Sequence, residues 1–104
     1  MDKNEFTNEL EDLLKRIHKH IEKNHKISFA ADHNGEMKYY TFEFSDEKGY
    51  SPELADMFIN RLRELTLQAY EILTKEKIDE NPDPMTVIVT ILQLVAHKLG
   101  ETKE

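Results

Sequence analysis

The chain of 104 residues has no cysteine and no tryptophan, and only three glycines and three prolines. Each shortage removes a class of chemistry. Without thiols there is no disulfide framework, no thiolate metal site and no cysteine nucleophile, a composition that fits a reducing cytosol. With one glycine at a turn and one at a helix end, little is left to cradle a phosphate, and no Gly-rich phosphate loop, G-x-S-x-G elbow, H-E-x-x-H pair or EF-hand loop is found. No apolar run follows Met1. The most apolar segment is interrupted by Thr86, Thr90, Gln93 and His97, so neither a signal peptide nor a membrane span is expected, and the expected location is cytoplasmic. There is no internal repeat or low-complexity tract, and the length suits one domain, 1–104, with a single modest core.

Positive charge is also in short supply. Twenty-one acids face fourteen bases, for a net charge of −7. The two signs balance in residues 1–26 and again in residues 84–104, so the whole surplus lies in residues 32–83, with thirteen acids against six bases. Such a field repels phosphates. Direct nucleic-acid binding is therefore not expected, while a basic protein partner is allowed. The plainer reading of an acidic surface is solubility alone.

What is present begins with a helix from about Asp2 to Asn24. Asp2 and Glu5 have capping-box spacing, and Phe6, Leu10, Leu13, Leu14, Ile17 and Ile21 recur at helical intervals. Two strands follow around Asn34-Gly35, the pair preferred in a two-residue type I′ turn. Centring the turn there sets Ile27 opposite Phe42 and Phe29 opposite Tyr40. Ile27, Phe29, Ala31, Tyr40, Phe42 and Phe44 then share one face, and Lys26, Ser28, Asp32, Thr41 and Glu43 share the other. A slip of one residue would destroy that sorting.

Ser51 and Pro52 open a second helix, expected to reach about Glu76, with Leu54, Phe58, Ile59, Leu62, Leu65, Ile72 and Leu73 on a broad apolar face and Leu67 on the polar side. A polar, proline-bearing link leads to Asp83, an N-cap for a third helix that Gly100 should end. Nearly the whole circumference of this last helix is apolar. Exposing Val87, Ile91 or Leu94 would forgo about 25 cal/mol per Å², so the helix is expected at the centre, with a second copy of the chain supplying part of its cover. The fold class is α+β: helix, β-hairpin, helix, helix, with the two-stranded antiparallel hairpin and three helices around that C-terminal helix.

Candidate sites are few. Glu11, His18 and Glu22 stand at i, i+7 and i+11 on the first helix, a spacing that can present imidazole and carboxylate to one divalent ion, with His25 extending the row beyond regular helix. The simpler reading is a charged, solvated helix face. The run Asp79–Asp83 is acidic but lacks the glycine and closing glutamate of a calcium loop. His97 shares a stripe with Thr86, Thr90 and Gln93, the helix's solvent-facing edge, and His33 reads as a surface residue beside the turn. Met37 and Tyr39 fall on the polar hairpin face, and with Glu43, Asp46, Glu47 and Tyr50 they form a candidate patch for a basic partner. No nucleophile or base constellation points to an enzyme, and no residue set calls for a cofactor. The expected function is a non-enzymatic protein–protein interaction module of adaptor, inhibitor or immunity type, self-associating as a homodimer. The alternative is a metal- or small-ligand-binding protein using the Glu11/His18/Glu22 stripe or a pocket beside His97.

Overall fold

Asp2 starts the first element by accepting the backbone N–H of Glu5 at 2.8 Å, and helix α1 runs Lys3–Asn24 behind it. The computed structural model of the chain describes residues 2–78 and 82–102, the last four through their backbone alone. Phe6, Leu10, Leu13, Leu14 and Ile21 of α1 are buried, as their helical spacing predicts. The helix ends at His25, whose φ of 61° is left-handed and whose N–H returns to the Ile21 carbonyl at 2.6 Å. That residue turns the chain out of the helix and into the hairpin.

Strands β1 (Lys26–His33) and β2 (Glu36–Glu43) pair antiparallel with Ile27 opposite Phe42 and Phe29 opposite Tyr40, the register expected from the turn. Asn34 and Gly35 take φ of 55° and 85°, which a type I′ turn requires, and the Asp32 carboxylate accepts the Gly35 N–H at 2.9 Å. The inner face carries Phe42 onto Phe58 of the next helix, with ring centroids 5.6 Å apart, and Phe44 packs on the same ring at 5.0 Å. A two-stranded sheet is marginal alone, and this aromatic contact anchors it. A second, minimal hairpin was not expected from the sequence: β3 (Ser45–Asp46) pairs with β4 (Gly49–Tyr50), and Asp46 accepts the Lys48 N–H at 2.8 Å.

Helix α2 (Pro52–Lys75) begins at the Ser51 cap and buries Ala55, Ile59, Leu62, Thr66 and Tyr70. It packs against α1 on one flank and α3 on the other, which widens its buried arc beyond one simple stripe. Leu67, placed on the polar side by the sequence, therefore packs against the core. Thr66 is fully buried, and its hydroxyl donates to the Leu62 carbonyl at 2.6 Å, so the polar atom is satisfied inside its own helix. Leu54 and Ile72, expected on the covered face, are exposed.

Helix α3 (Pro84–Thr102) starts at Asp83, whose carboxylate accepts both the N–H and the hydroxyl of Thr86, at 3.0 and 2.7 Å. Two expectations about α3 are corrected. It continues through Gly100 instead of stopping there; a glycine inside a helix costs only about 1 kcal/mol relative to alanine, too little to end one unaided. Nor is it wrapped on most sides within this chain: Val87, Ile88, Leu92 and Ala96 are buried, while Met85, Val89 and Leu94 are exposed. The deepest helix is α1, in which Phe6, Leu10, Leu14 and Ile21 are almost completely enclosed. No helix among the described residues is long and apolar enough to cross a membrane. The acidic run Asp79–Asp83 falls mostly outside the described residues.

Candidate functional site

The stripe read as a metal candidate lies in a shallow groove of about 510 Å³ between α1 and α2. Glu11 is held there by a two-point contact with Arg63, Nε to Oε2 at 2.6 Å and Nη2 to Oε1 at 3.0 Å. The guanidinium holds the Glu11 carboxyl below its ordinary pKa, against a partial burial that works the other way. His18 lies between two acids, Nδ1 at 2.7 Å from Glu22 and Nε2 at 3.1 Å from Asp56. With one acid at each ring nitrogen, His18 bridges α1 to α2. Glu11 is thus drawn to Arg63 while Glu22 is drawn to His18, and no cluster of three or more His, Asp or Glu side chains placed to hold a metal occurs among the described residues. His25, the extension of the row, is turned away by its left-handed backbone and stacks on Tyr50 with ring centroids 5.0 Å apart.

That stacking holds Tyr50, a member of the expected partner patch, against the C-terminal end of α1. Its ring is half-buried, and its hydroxyl is enclosed without a hydrogen-bond partner among the described residues. Burial raises its pKa, and the nearby charges of Glu22 and Asp56 raise it further. The remaining patch residues are all at the surface. Tyr39 is 80% exposed and Met37 58% exposed on the outer hairpin face, whose other members, Lys26, Ser28, Ala30, Asp32, Thr41 and Glu43, are exposed as well. Asp46 and Glu47 extend the acid into the β3–β4 turn, and both are exposed.

A large apolar surface feature lies beside α3, where the sequence reading expects a second copy to supply cover and where a pocket beside His97 is the expected ligand site. Between α2 and α3 runs a valley with two hollows, about 600 and 440 Å³, that share Ala69, Ile72, Ile91 and Leu94. A third hollow, about 170 Å³, continues it beneath the hairpin to Phe42 and Phe58. Ile72 and Leu94 stand on its two banks, 56% and 64% exposed. Among the described lining residues of the two larger hollows only Lys98 carries a formal charge. The sequence did contain the signal: an apolar circumference on α3 that one chain of this size has too few elements to cover.

One polar contact at the end of this valley had no local signal at all. His33 and His97 stand 64 positions apart, yet their Nδ1 atoms meet at 2.8 Å with the ring centroids 4.7 Å apart. One ring donates and the other accepts, which ties the tip of the hairpin to α3. His97 therefore does not point to solvent with Thr86 and Thr90, and His33 is not a free surface residue.

No family model matches the chain, and neither the curated proteins nor the solved structures include a significant match to it.

Proposed function

We propose that the chain is a non-catalytic protein-interaction module with two working surfaces, the apolar α2–α3 valley and the acidic outer face of the hairpin. The observation that supports this reading best is the amount of surface the fold leaves uncovered. A monomer of this mass exposes about 6,100 Å² by the usual size scaling, whereas this chain exposes 7570 Å². The excess is concentrated in meaning, because a contiguous, nearly uncharged apolar valley is the kind of surface that soluble proteins keep for partners. The α1–α2 groove offers less to a substrate: Glu11 is paired with Arg63, and His18 with Glu22 and Asp56, so these groups already answer one another.

The hairpin face supplies the second contact. Tyr39 and Met37 are rigid or adaptable apolar anchors, and Glu43, Asp46 and Glu47 add the negative field that steers a basic protein. Adaptors, inhibitors and immunity-type proteins share this design. The immobilised chain should retain basic proteins from a cell extract at low salt and release them as salt screens the acid. A variant with Tyr39→Ala, Glu43→Lys and Glu47→Lys should retain none of them. Wild-type retention that is indifferent to salt and to these substitutions would sink the role given to the hairpin. The metal-binding alternative keeps its own test, titration with zinc, nickel and manganese: no heat, or heat unchanged in His18→Ala, ends it.

A further inference from the structure

We infer that the α2–α3 valley is the homodimer interface, closed by the same valley of a second copy about a two-fold axis that passes close to the line from Ile72 to Leu94. This deepens the reading of the chain as an interaction module by naming the occupant of one of its two surfaces.

The shape of the molecule comes first. It measures 44 × 32 × 17 Å with a radius of gyration of 14.8 Å, where about 13 Å is usual for a domain of this length. The chain as a whole exposes on the order of 1,500 Å² more than the size-scaled expectation, enough to include the roughly 800 Å² that each partner gives to a standard interface.

Charge then narrows the occupant. The chain's net charge of −7 would choose a basic partner wherever the acids point. The valley offers such a partner nothing to pair with, since the charged residues among its described lining residues are two bases, Lys98 and Arg61. What fits a nearly uncharged valley is an apolar surface, and a second copy supplies one of the same length and composition. No acid lines the hollows among the described residues, so pairing valley to valley buries apolar surface without setting carboxylates at its centre.

Symmetry makes the last step. A two-fold contact must be self-complementary, so each crest has to meet a hollow of the partner. Here one hollow is lined by Ile78, Thr86 and Val87 and the other by Leu65, Val95 and His97, on either side of the shared Ile72 and Leu94. A two-fold axis parallel to the Ile72–Leu94 line and displaced from it toward one hollow sets the Leu94 crest of each copy over that hollow of the other, and the two α2–α3 pairs then pack as a four-helix layer. The hairpin outer faces then remain free for the second surface.

Sedimentation and light scattering test this directly. Wild-type chain should run at twice its monomer mass, and Leu94→Glu or Ile72→Lys should each weaken association roughly a thousandfold, because the two-fold places every substitution twice. Both side chains are exposed in the single chain, so the variants should keep the wild-type circular dichroism spectrum. Tyr39→Lys, on the hairpin face, should leave the dimer intact. Since the chain has no cysteine, Leu94→Cys provides a single spin-label position, and the label-to-label distance should be short, well below that of Tyr39→Cys. A wild-type monomer at near-millimolar concentration overturns the proposal, as does a dimer that survives both valley variants or one whose Leu94 labels lie far apart. Salt-dependent retention of basic proteins by the hairpin face is read separately, so loss of the dimer and loss of the module reading cannot be confused.

Discussion

Along its α1 flank, α2 is fastened at the rim by charged pairs, Lys3 to Glu71 at 2.8 Å, Arg63 to Glu11 at 2.6 Å and His18 to Asp56 at 3.1 Å, whereas along its α3 flank the rim is Ile72 and Leu94. Both flanks have apolar side chains beneath. The difference is that the first ends in groups that face water comfortably and the second does not. A finished interface has an apolar centre and a polar edge. By that standard α1–α2 carries both, whereas the exposed residues on the rim of α2–α3 are apolar.

The comparison breaks most visibly at the centre of the closed flank. Phe6 is fully buried against Tyr70, with ring centroids 4.4 Å apart, so Phe6→Ala should cost about 3–5 kcal/mol, read as a large drop in the urea midpoint. The start of α3 comes next. Asp83 caps it through Thr86, and its pKa is lowered first by the Thr86 N–H and then by the Thr86 hydroxyl; Asp83→Ala should cost about 1 kcal/mol. A loss near zero would mean that packing alone holds this end of α3.

A smaller effect is expected at the charged rim. Arg63 and Glu11 are each more than a third exposed or close to it, so Arg63→Met should cost less than about 1 kcal/mol at neutral pH. Its pH dependence is more telling. Because the folded-state pKa of Glu11 lies below the ordinary 4.5, the pair stabilises the fold above that value and the contribution fades as pH falls through the lowered one. Unfolding curves measured from neutral to strongly acid pH should therefore converge for wild type and Arg63→Met at the acid end; a constant gap would show that Arg63 acts through packing. The smallest effect belongs to the open flank. At high dilution, where the chain is monomeric, Leu94→Asn should change stability by no more than about 0.5 kcal/mol, and a loss of several kcal/mol would show that the valley is already closed within the chain.

Legibility of the sequence followed the range of the interactions. The hairpin could be read to the residue because its turn chemistry and its alternation are both local, and Asn34-Gly35 and the Phe29/Tyr40 pairing agree. The helix starts at Asp2, Ser51 and Asp83 were equally plain, each a cap that acts within three residues. Helix α3 lies less deep than its pattern implies, because an apolar circumference does not record which elements pack on it. Leu67 was misplaced because a single-stripe pattern does not anticipate a helix gripped on two flanks. Arg63 with Glu11 and His33 with His97 join residues 52 and 64 positions apart, and no periodicity in one segment foretells a partner in another. Of the patch residues, Met37, Tyr39, Glu43, Asp46 and Glu47 lie at the surface, whereas Tyr50 is turned against His25.

The corner at His25 has a mechanical meaning. Its carbonyl accepts the Phe44 N–H at 2.8 Å while its ring lies against Tyr50, so helix end, hairpin root and following turn are welded at one joint, and the far tip is pinned by His33 to His97. Supported at both ends, the hairpin is a braced bracket rather than a swinging arm, and anything that grips its outer side is held at a set angle to whatever fills the valley.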